Sequence, residues 1–340
     1  MSYSVLSKYR TELMGAAILW VMLFHAYDLD MGWPVLEWLR AAGFGGVDIF
    51  ILLSTMGLVM SLSRRGQEYG AFLARRVSRI LPAYYAVMVP YTVFQMAYRQ
   101  APLSALIWNS LLLYYWVRPK GAFNWYVAGA MTFYLITPPC FRRMQASRRR
   151  EWLAAAGILG GLALCRIFLH DGYWGVVDIA YRVPVFFLGL LIGFYAAEGR
   201  RLKTGDILFW CGWLGLGVCY LLATHLDQEV VFLPMCHLFL FTTVPMCLVV
   251  CWCFEHLPLG GLRRGLRVLG THSLEIYLLN VSWFNEVELL RRFVSFGPDN
   301  RLYYLLSFAV NIALAWVLHR AVEGLREKWQ RHTEKNRETA

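Results

Sequence analysis

Residues 11–29 read TELMGAAILWVMLFHAYDL, and residues 45–63 read GGVDIFILLSTMGLVMSLS. Each stretch has the length needed to cross a bilayer, where about 20 apolar residues rising 1.5 Å each span roughly 30 Å of hydrocarbon. Each also carries an ionisable group away from its ends that is expensive in lipid unless it meets a partner or a water-filled cavity. These are His25 in the first and Asp48 in the second. Further apolar blocks follow at 79–98, 123–141, 152–169, 180–198, 206–223, 232–254, 270–285 and 302–320. The pattern predicts an all-α, polytopic transmembrane helical bundle of about ten spans. The stretch 103–117 is apolar but short, which predicts an interfacial or re-entrant helix rather than a crossing.

Composition agrees. Of 340 residues, 58% are hydrophobic and 16% charged, against about 45–50% and about 25% in soluble domains. That leaves too little charge to coat a water-facing globule. The net charge is +11, which on a soluble protein would suggest nucleic acid. Here the basic residues cluster in alternate short loops, so no nucleic-acid partner is expected. Arg64, Arg65, Arg75, Arg76 and Arg79 fall on one side, with Arg142, Arg143, Arg148–Arg150, Arg200, Arg201, Lys203, Arg263, Arg264 and Arg267. The opposite loops carry few bases, Lys120 among them, and acids such as Asp171, Asp178, Asp227 and Glu229. The positive-inside rule then places both termini in the cytoplasm. Counting 103–117 as a full span would invert every later loop. The cysteines lie inside apolar blocks without metal-ligand or CxxC spacing, so no metal site is expected. The first block is too long for a cleavable signal peptide and lacks a small-residue cleavage site. One domain over 1–325 and a short polar cytoplasmic tail over 326–340 are expected.

Candidate chemistry starts with His25 and Asp48. Both sit near the same end of antiparallel neighbours joined by a short loop. A carboxylate beside an imidazole orients the ring and raises its basicity, giving a general base for a hydroxyl proton; the alternative is a buried pair that only joins two helices. Gly43, Gly45 and Gly46 read either as backbone approach to a ligand or as close helix packing. Arg76 and Arg79 share a helix face with Arg75 beside them, an arrangement suited to phosphate or to simple topology. Asn124, Trp125 and Tyr126 open a span with aromatics that either anchor an interface or stack on a sugar. Arg182 lies one turn after Asp178, either facing the same cavity as His25 or pairing with Asp178. Glu275, Asn280 and His237 are polar positions within spans that the sequence alone does not rank.

Taken in order, these segments resemble the type-3 acyltransferase family, bacterial integral-membrane O-acyltransferases of cell-surface glycans. The resemblance rests on His25, then Gly46-Val47-Asp48-Ile49-Phe50, then Arg76-Val77-Ser78-Arg79-Ile80-Leu81-Pro82-Ala83-Tyr84. Weaker matches are Trp125-Tyr126 with Phe133-Tyr134-Leu135 and Pro138, the Phe186–Gly193 run and the Leu269–Leu278 run. The resemblance implies a ten-span core, a catalytic role for His25, and contact of Arg76 and Arg79 with an acyl-CoA donor. It implies a bacterial inner membrane location. Two positions depart from the family pattern. Met14 stands where many members carry a base, with Arg10 the nearest one, and Ala130 stands where many carry Glu.

The resulting expectation is an O-acyltransferase with no permanently bound cofactor. Acyl-CoA, most simply acetyl-CoA, binds through Arg75, Arg76 and Arg79. His25, oriented by Asp48, deprotonates an extracytoplasmic glycan or glycolipid hydroxyl on the side of Asn124, Trp125, Tyr126 and Arg182. Because the arginines and His25 lie near opposite faces, this reading requires a passage through the bundle. The rival is a transporter or flippase for a glycan or lipid-linked precursor. It would favour paired halves with broken helices around a midplane site, and no such symmetry is visible in the sequence.

Overall fold

A computed structural model describes residues 1–65, 68–118, 122–170, 174–226, 237–284, 289–293 and 300–338. Lys120, Asp171, Asp227 and Glu229, which entered the loop-charge argument, lie outside the described residues, as does the start of the expected span 232–254. In hydrocarbon every backbone donor and acceptor must be satisfied within the chain, which leaves the helix as the local solution for these apolar blocks. The order is α1 (Val5–Lys8), α2 (Arg10–Phe24), α3 (Pro34–Ala41), α4 (Gly46–Arg65), α5 (Tyr69–Arg99), α6 (Leu103–Ser110), α7 (Tyr114–Val117) and α8 (Trp125–Gln145). There follow α9 (Arg150–His170), α10 (Val177–Ala180), α11 (Val183–Ala197), α12 (Thr204–Leu226), α13 (Leu238–His256), α14 (Gly260–Thr271), α15 (Ser273–Leu279) and α16 (Arg301–Glu338). No strand forms among the described residues.

The bundle is as expected, but its span count is not. Among the described residues seven helices are long and apolar enough to cross a membrane. The expected spans 11–29, 123–141 and 270–285 are not among them. Helix α2 ends at Phe24 after 15 residues, about 22 Å of rise. Helix α8 is long enough, but Trp125, Tyr126, Tyr134, Pro138 and Pro139 dilute its apolar character. The expected span 270–285 belongs to a longer, broken rod: α14 stops at Thr271, α15 runs to Leu279, and a π turn covers Asn280–Phe284. The 103–117 stretch forms two short helices, α6 and α7, rather than a crossing. The expected polar tail continues α16 as helix to Glu338.

The inner bundle is built by close backbone approach. Helix α14 lies along α2, and α4 packs against both α2 and α11. A Cβ on Gly15 would stand 1.9 Å from the Leu266 carbonyl oxygen, and one on Gly270 would stand 1.8 Å from that of Thr11. Gly43 and Gly46 meet the Trp20 and Ala17 carbonyls in the same way, and Gly45 meets the Phe239 ring. These glycines therefore serve helix packing rather than a ligand. Small residues at such crossings are how membrane helices associate, since burial against lipid offers no hydrophobic gain. Around this core, α9, α12 and α16 turn Trp152, Leu159, Leu208, Phe209, Leu305 and Val317 outward. In water those side chains would be an aggregating surface, whereas in lipid they are the solvated one.

Candidate active site

His25 is the residue that ends α2. Its Nδ1 lies 2.9 Å from the Val21 carbonyl oxygen one turn back. A carbonyl only accepts, so Nδ1 carries the hydrogen and Nε2 is left as the basic atom of the neutral ring. The ring lines a chamber of about 310 Å³ together with Val21, Phe24, Phe44, Val47, Trp125, Asp178, Arg182 and Tyr277. Phe24 and Tyr27 stand edge-on to the imidazole at 5.2 and 6.0 Å. An imidazole with a fixed tautomer in a half-buried, mostly apolar chamber is placed to take a proton from a hydroxyl that enters it.

Asp48 does not orient His25. Its carboxylate is buried and faces Arg182, with Arg182 Nε 3.8 Å from Asp48 Oδ2. The reason is helical: α4 turns this side chain toward α11, where Arg182 is the N-cap of the helix after the break that ends α10. Neither Asp48 oxygen has a hydrogen-bond partner among the described residues. Arg182 also donates from Nη1 to the Asp178 carbonyl at 3.3 Å, and its guanidinium lies 5.1 Å over the Trp125 ring. So the expected His–Asp dyad is replaced by two neighbours with separate jobs. The Val21 backbone sets the tautomer of His25, and Asp48 holds a cation in the wall of the same chamber.

The three adjacent residues of the α8 entrance separate. Asn124 is the N-cap of α8, its Oδ1 accepting from the Val127 amide at 3.0 Å, the usual work of Asn at that position. Trp125 faces the His25 chamber. Tyr126 faces the other way, into a narrow waist of about 90 Å³ lined also by Arg10, Met14, Phe50, Arg76, Arg79, Ser273 and Tyr277. Tyr126 and Tyr277 meet edge to face at 5.1 Å, with Phe50 6.3 Å from Tyr126. Tyr277 and Val47 border both chamber and waist. The break between α14 and α15 sits where Ser273 and Leu274 enter the waist, and irregular backbone at membrane depth is tolerated where it lines a cavity.

The waist leads to a wider, polar mouth of about 430 Å³ that holds six arginines: Arg10, Arg64, Arg75, Arg76, Arg79 and Arg326. Arg10, Gly57, Arg76 and Arg79 border both mouth and waist. Arg75 belongs to the mouth, and Arg76 rests its guanidinium 5.4 Å from the Phe72 ring. Sequence reading missed Arg10, Arg64 and Arg326 as members of this cluster. For Arg10 there was a signal: it stands one helical turn before Met14, the position where a base was looked for. Its guanidinium passes over Gly57, where a Cβ would come within 2.7 Å of Nη1. The missing side chain at Gly57 is what gives Arg10 room.

Mouth, waist and chamber thus share walls in series, with arginines at one end and His25 at the other. Among the in-span polar residues, Glu275 Oε1 and His319 Nδ1 share a hydrogen bond of 2.9 Å, outside this series. No curated protein and no solved structure matches the chain. A family model does, the acyltransferase domain, and it matches residues 15–320. Arg10 lies just outside that match. A match over so much of the chain makes this helical membrane protein a member of the type-3 acyltransferase family.

Proposed function

We propose that this acyltransferase takes its acyl group, most simply acetyl, from acyl-CoA and delivers it to a hydroxyl of an extracytoplasmic glycan, with His25 as the base. The observation that carries the reading is the series of cavities joining six arginines to one imidazole. Phosphate-bearing CoA suits the mouth, where several guanidinium groups converge. The reading puts that mouth at the cytoplasmic face of a bacterial inner membrane and His25 at the opposite face. Helix α2 alone separates Arg10 from His25 by 15 residues, about 22 Å of rise, much of which a pantetheine arm spans.

In this reading the thioester passes the waist with its acyl end leading. The acceptor hydroxyl enters the chamber and gives its proton to His25 Nε2 as its oxygen bonds the thioester carbonyl carbon. The carbon–sulfur bond then breaks, and the departing CoA thiolate takes the proton back from the imidazolium. Arg182, held by Asp48 in the same wall, faces the negative charge that develops on the carbonyl oxygen. The products are an acyl ester and free CoA thiol.

The test is transfer of radiolabelled acetyl from acetyl-CoA by the purified protein in lipid nanodiscs, with surface glycan as acceptor. Label should move to alkali-labile ester linkage in the wild type and not in His25→Ala. Full transfer by that variant would remove His25 from the mechanism. Export of unmodified glycan with the thioester intact would support the transporter instead.

A further inference from the structure

A second cavity stands apart from the mouth, waist and chamber. It measures about 420 Å³ and is lined by Tyr91, Thr92, Gln95, Arg99, Asn109, Tyr114 and Phe123, with the small side chains of Ala101, Ala105 and Ala122 between them. Its place in the bundle is fixed by α5. That helix starts beside the arginine mouth and runs 31 residues to Arg99, so the cavity sits at the His25 end. Only one short stretch parts it from the His25 chamber: Phe123 lines one, Trp125 lines the other, and Asn124 between them caps α8.

The walls are built rather than incidental. Tyr84 and Tyr85 each donate a hydroxyl hydrogen bond of 2.9 Å, to the Asn109 and Ser110 carbonyls, pinning α6 onto α5. Asn109 Oδ1 accepts from the Phe123 amide at 2.9 Å, tying α6 to the approach of α8. Gln95 donates to the Tyr91 hydroxyl at 2.6 Å. Among the described residues the two non-glycine positions with positive φ are Gln100 at 55° and Leu112 at 58°. Each lies between residues of this wall, Arg99 and Ala101 for one, Asn109 and Tyr114 for the other. A leucine in the left-handed region is costly and persists where the surroundings over-determine it, commonly at ligand sites.

The chemistry of the lining is specific. Three aromatic side chains give apolar faces, and an amide, a hydroxyl and a guanidinium give directed polar contacts. A hollow whose aromatic faces alternate with placed polar groups fits a sugar ring, which has carbon–hydrogen faces and a hydroxyl rim. Deepening the glycan reading, on which it rests, we infer that this cavity holds a sugar of the acceptor next to the one that is acylated, so that the substrate is an oligosaccharide or polymer rather than a single sugar. Phe123 and Trp125 are two residues apart, no more than about 7 Å along the backbone, a separation that neighbouring sugars in a chain bridge.

The experiment replaces the wild-type chain, in the cells that naturally carry it, by Gln95→Ala/Arg99→Ala and by Ala101→Trp, which fills the hollow instead of stripping it. Ester-linked acyl groups per glycan repeat are then counted by mass spectrometry. Binding of acetyl-CoA to each purified protein is measured alongside. Both variants should lose at least ten-fold in acyl groups and bind acetyl-CoA as the wild type does. Wild-type acylation by either variant, with normal membrane amounts, overturns the inference alone. If wild-type cells carry no acyl group that depends on the chain, the glycan reading fails and the inference falls with it.

Discussion

Helices α4 and α12 look alike as sequence. Each is about twenty residues long and apolar enough to cross a bilayer, yet the stretch containing α4 has 83% of its apolar window buried and α12 has 11%. Helix α4 is packed between α2 and α11, places Asp48 against Arg182 of the chamber wall and supplies Gly57 to the mouth. Helix α12 shows Leu208, Phe209, Leu216 and Leu222 to its surroundings. What separates the two is not how many small residues they carry but what those residues meet: on α12 Gly205, Gly212 and Gly215 face nothing within 4 Å, whereas Gly46 and Gly57 on α4 each fit against a neighbour. Lipid is as apolar as leucine, so apolar residues do not decide which helix is inside; close-fitting glycines and paired polar groups do.

The largest effect is expected at the proposed base. Replacing His25 by Ala should lower acyl transfer about 10²–10⁴-fold while the amount of folded protein in the membrane stays unchanged, because the imidazole bonds to its own helix. A matching fall in protein level would mean that His25 is structural. Next is the pair in the chamber wall. Asp48→Ala leaves Arg182 buried without its carboxylate, which should cost about 3–5 kcal/mol in denaturant unfolding from detergent micelles. The double variant Asp48→Ala/Arg182→Met should recover part of that, and an additive result would show that the two do not act as a pair.

Smaller effects follow from the glycines. Gly270→Ala forces a methyl against the Thr11 carbonyl and should cost about 1–3 kcal/mol as α14 is pushed off α2. Gly57→Ala displaces only the flexible end of Arg10. It should raise KM for acyl-CoA about five-fold, equivalent to ~1 kcal/mol of binding, with kcat preserved. At the far end of the scale, Gly212→Ala on α12 meets nothing within 4 Å and should change stability by less than about 0.5 kcal/mol. A large effect at Gly212 would place α12 against an unrecognised partner and weaken the division between inner and lipid-facing helices.

Several parts of the site were legible because lipid makes them conspicuous. His25, Asp48 and Arg182 stood out as ionisable groups in apolar blocks, and the Arg76–Arg79 spacing placed two cations on one face. The partner of Asp48 was not legible. Sequence proximity favoured His25 across a short loop, whereas the helix phase of α4 and the break before Arg182 gave it to α11. Trp125 and Tyr126 were read as one group, but successive residues on a helix diverge by about 100°, and they line different cavities. The three spans that composition alone does not support, at α2, α8 and the α14–α15 rod, all border the cavities, as α4 and α5 also do. Polar lining, aromatic residues and broken backbone lower their apolar signal for the same reason that they form a site.

The sequence by itself determined the solvent of this protein and its helical class, and it singled out His25 as the residue proposed as base, because these follow from how much apolar chain must be hidden and what it costs to place an ionisable group there. Only the tertiary structure decided which helices are inside, which carboxylate meets which cation, and that the arginine mouth connects to His25. Those depend on the rotation and crossing of each helix, which are set by contacts at ångström range between residues far apart in the chain.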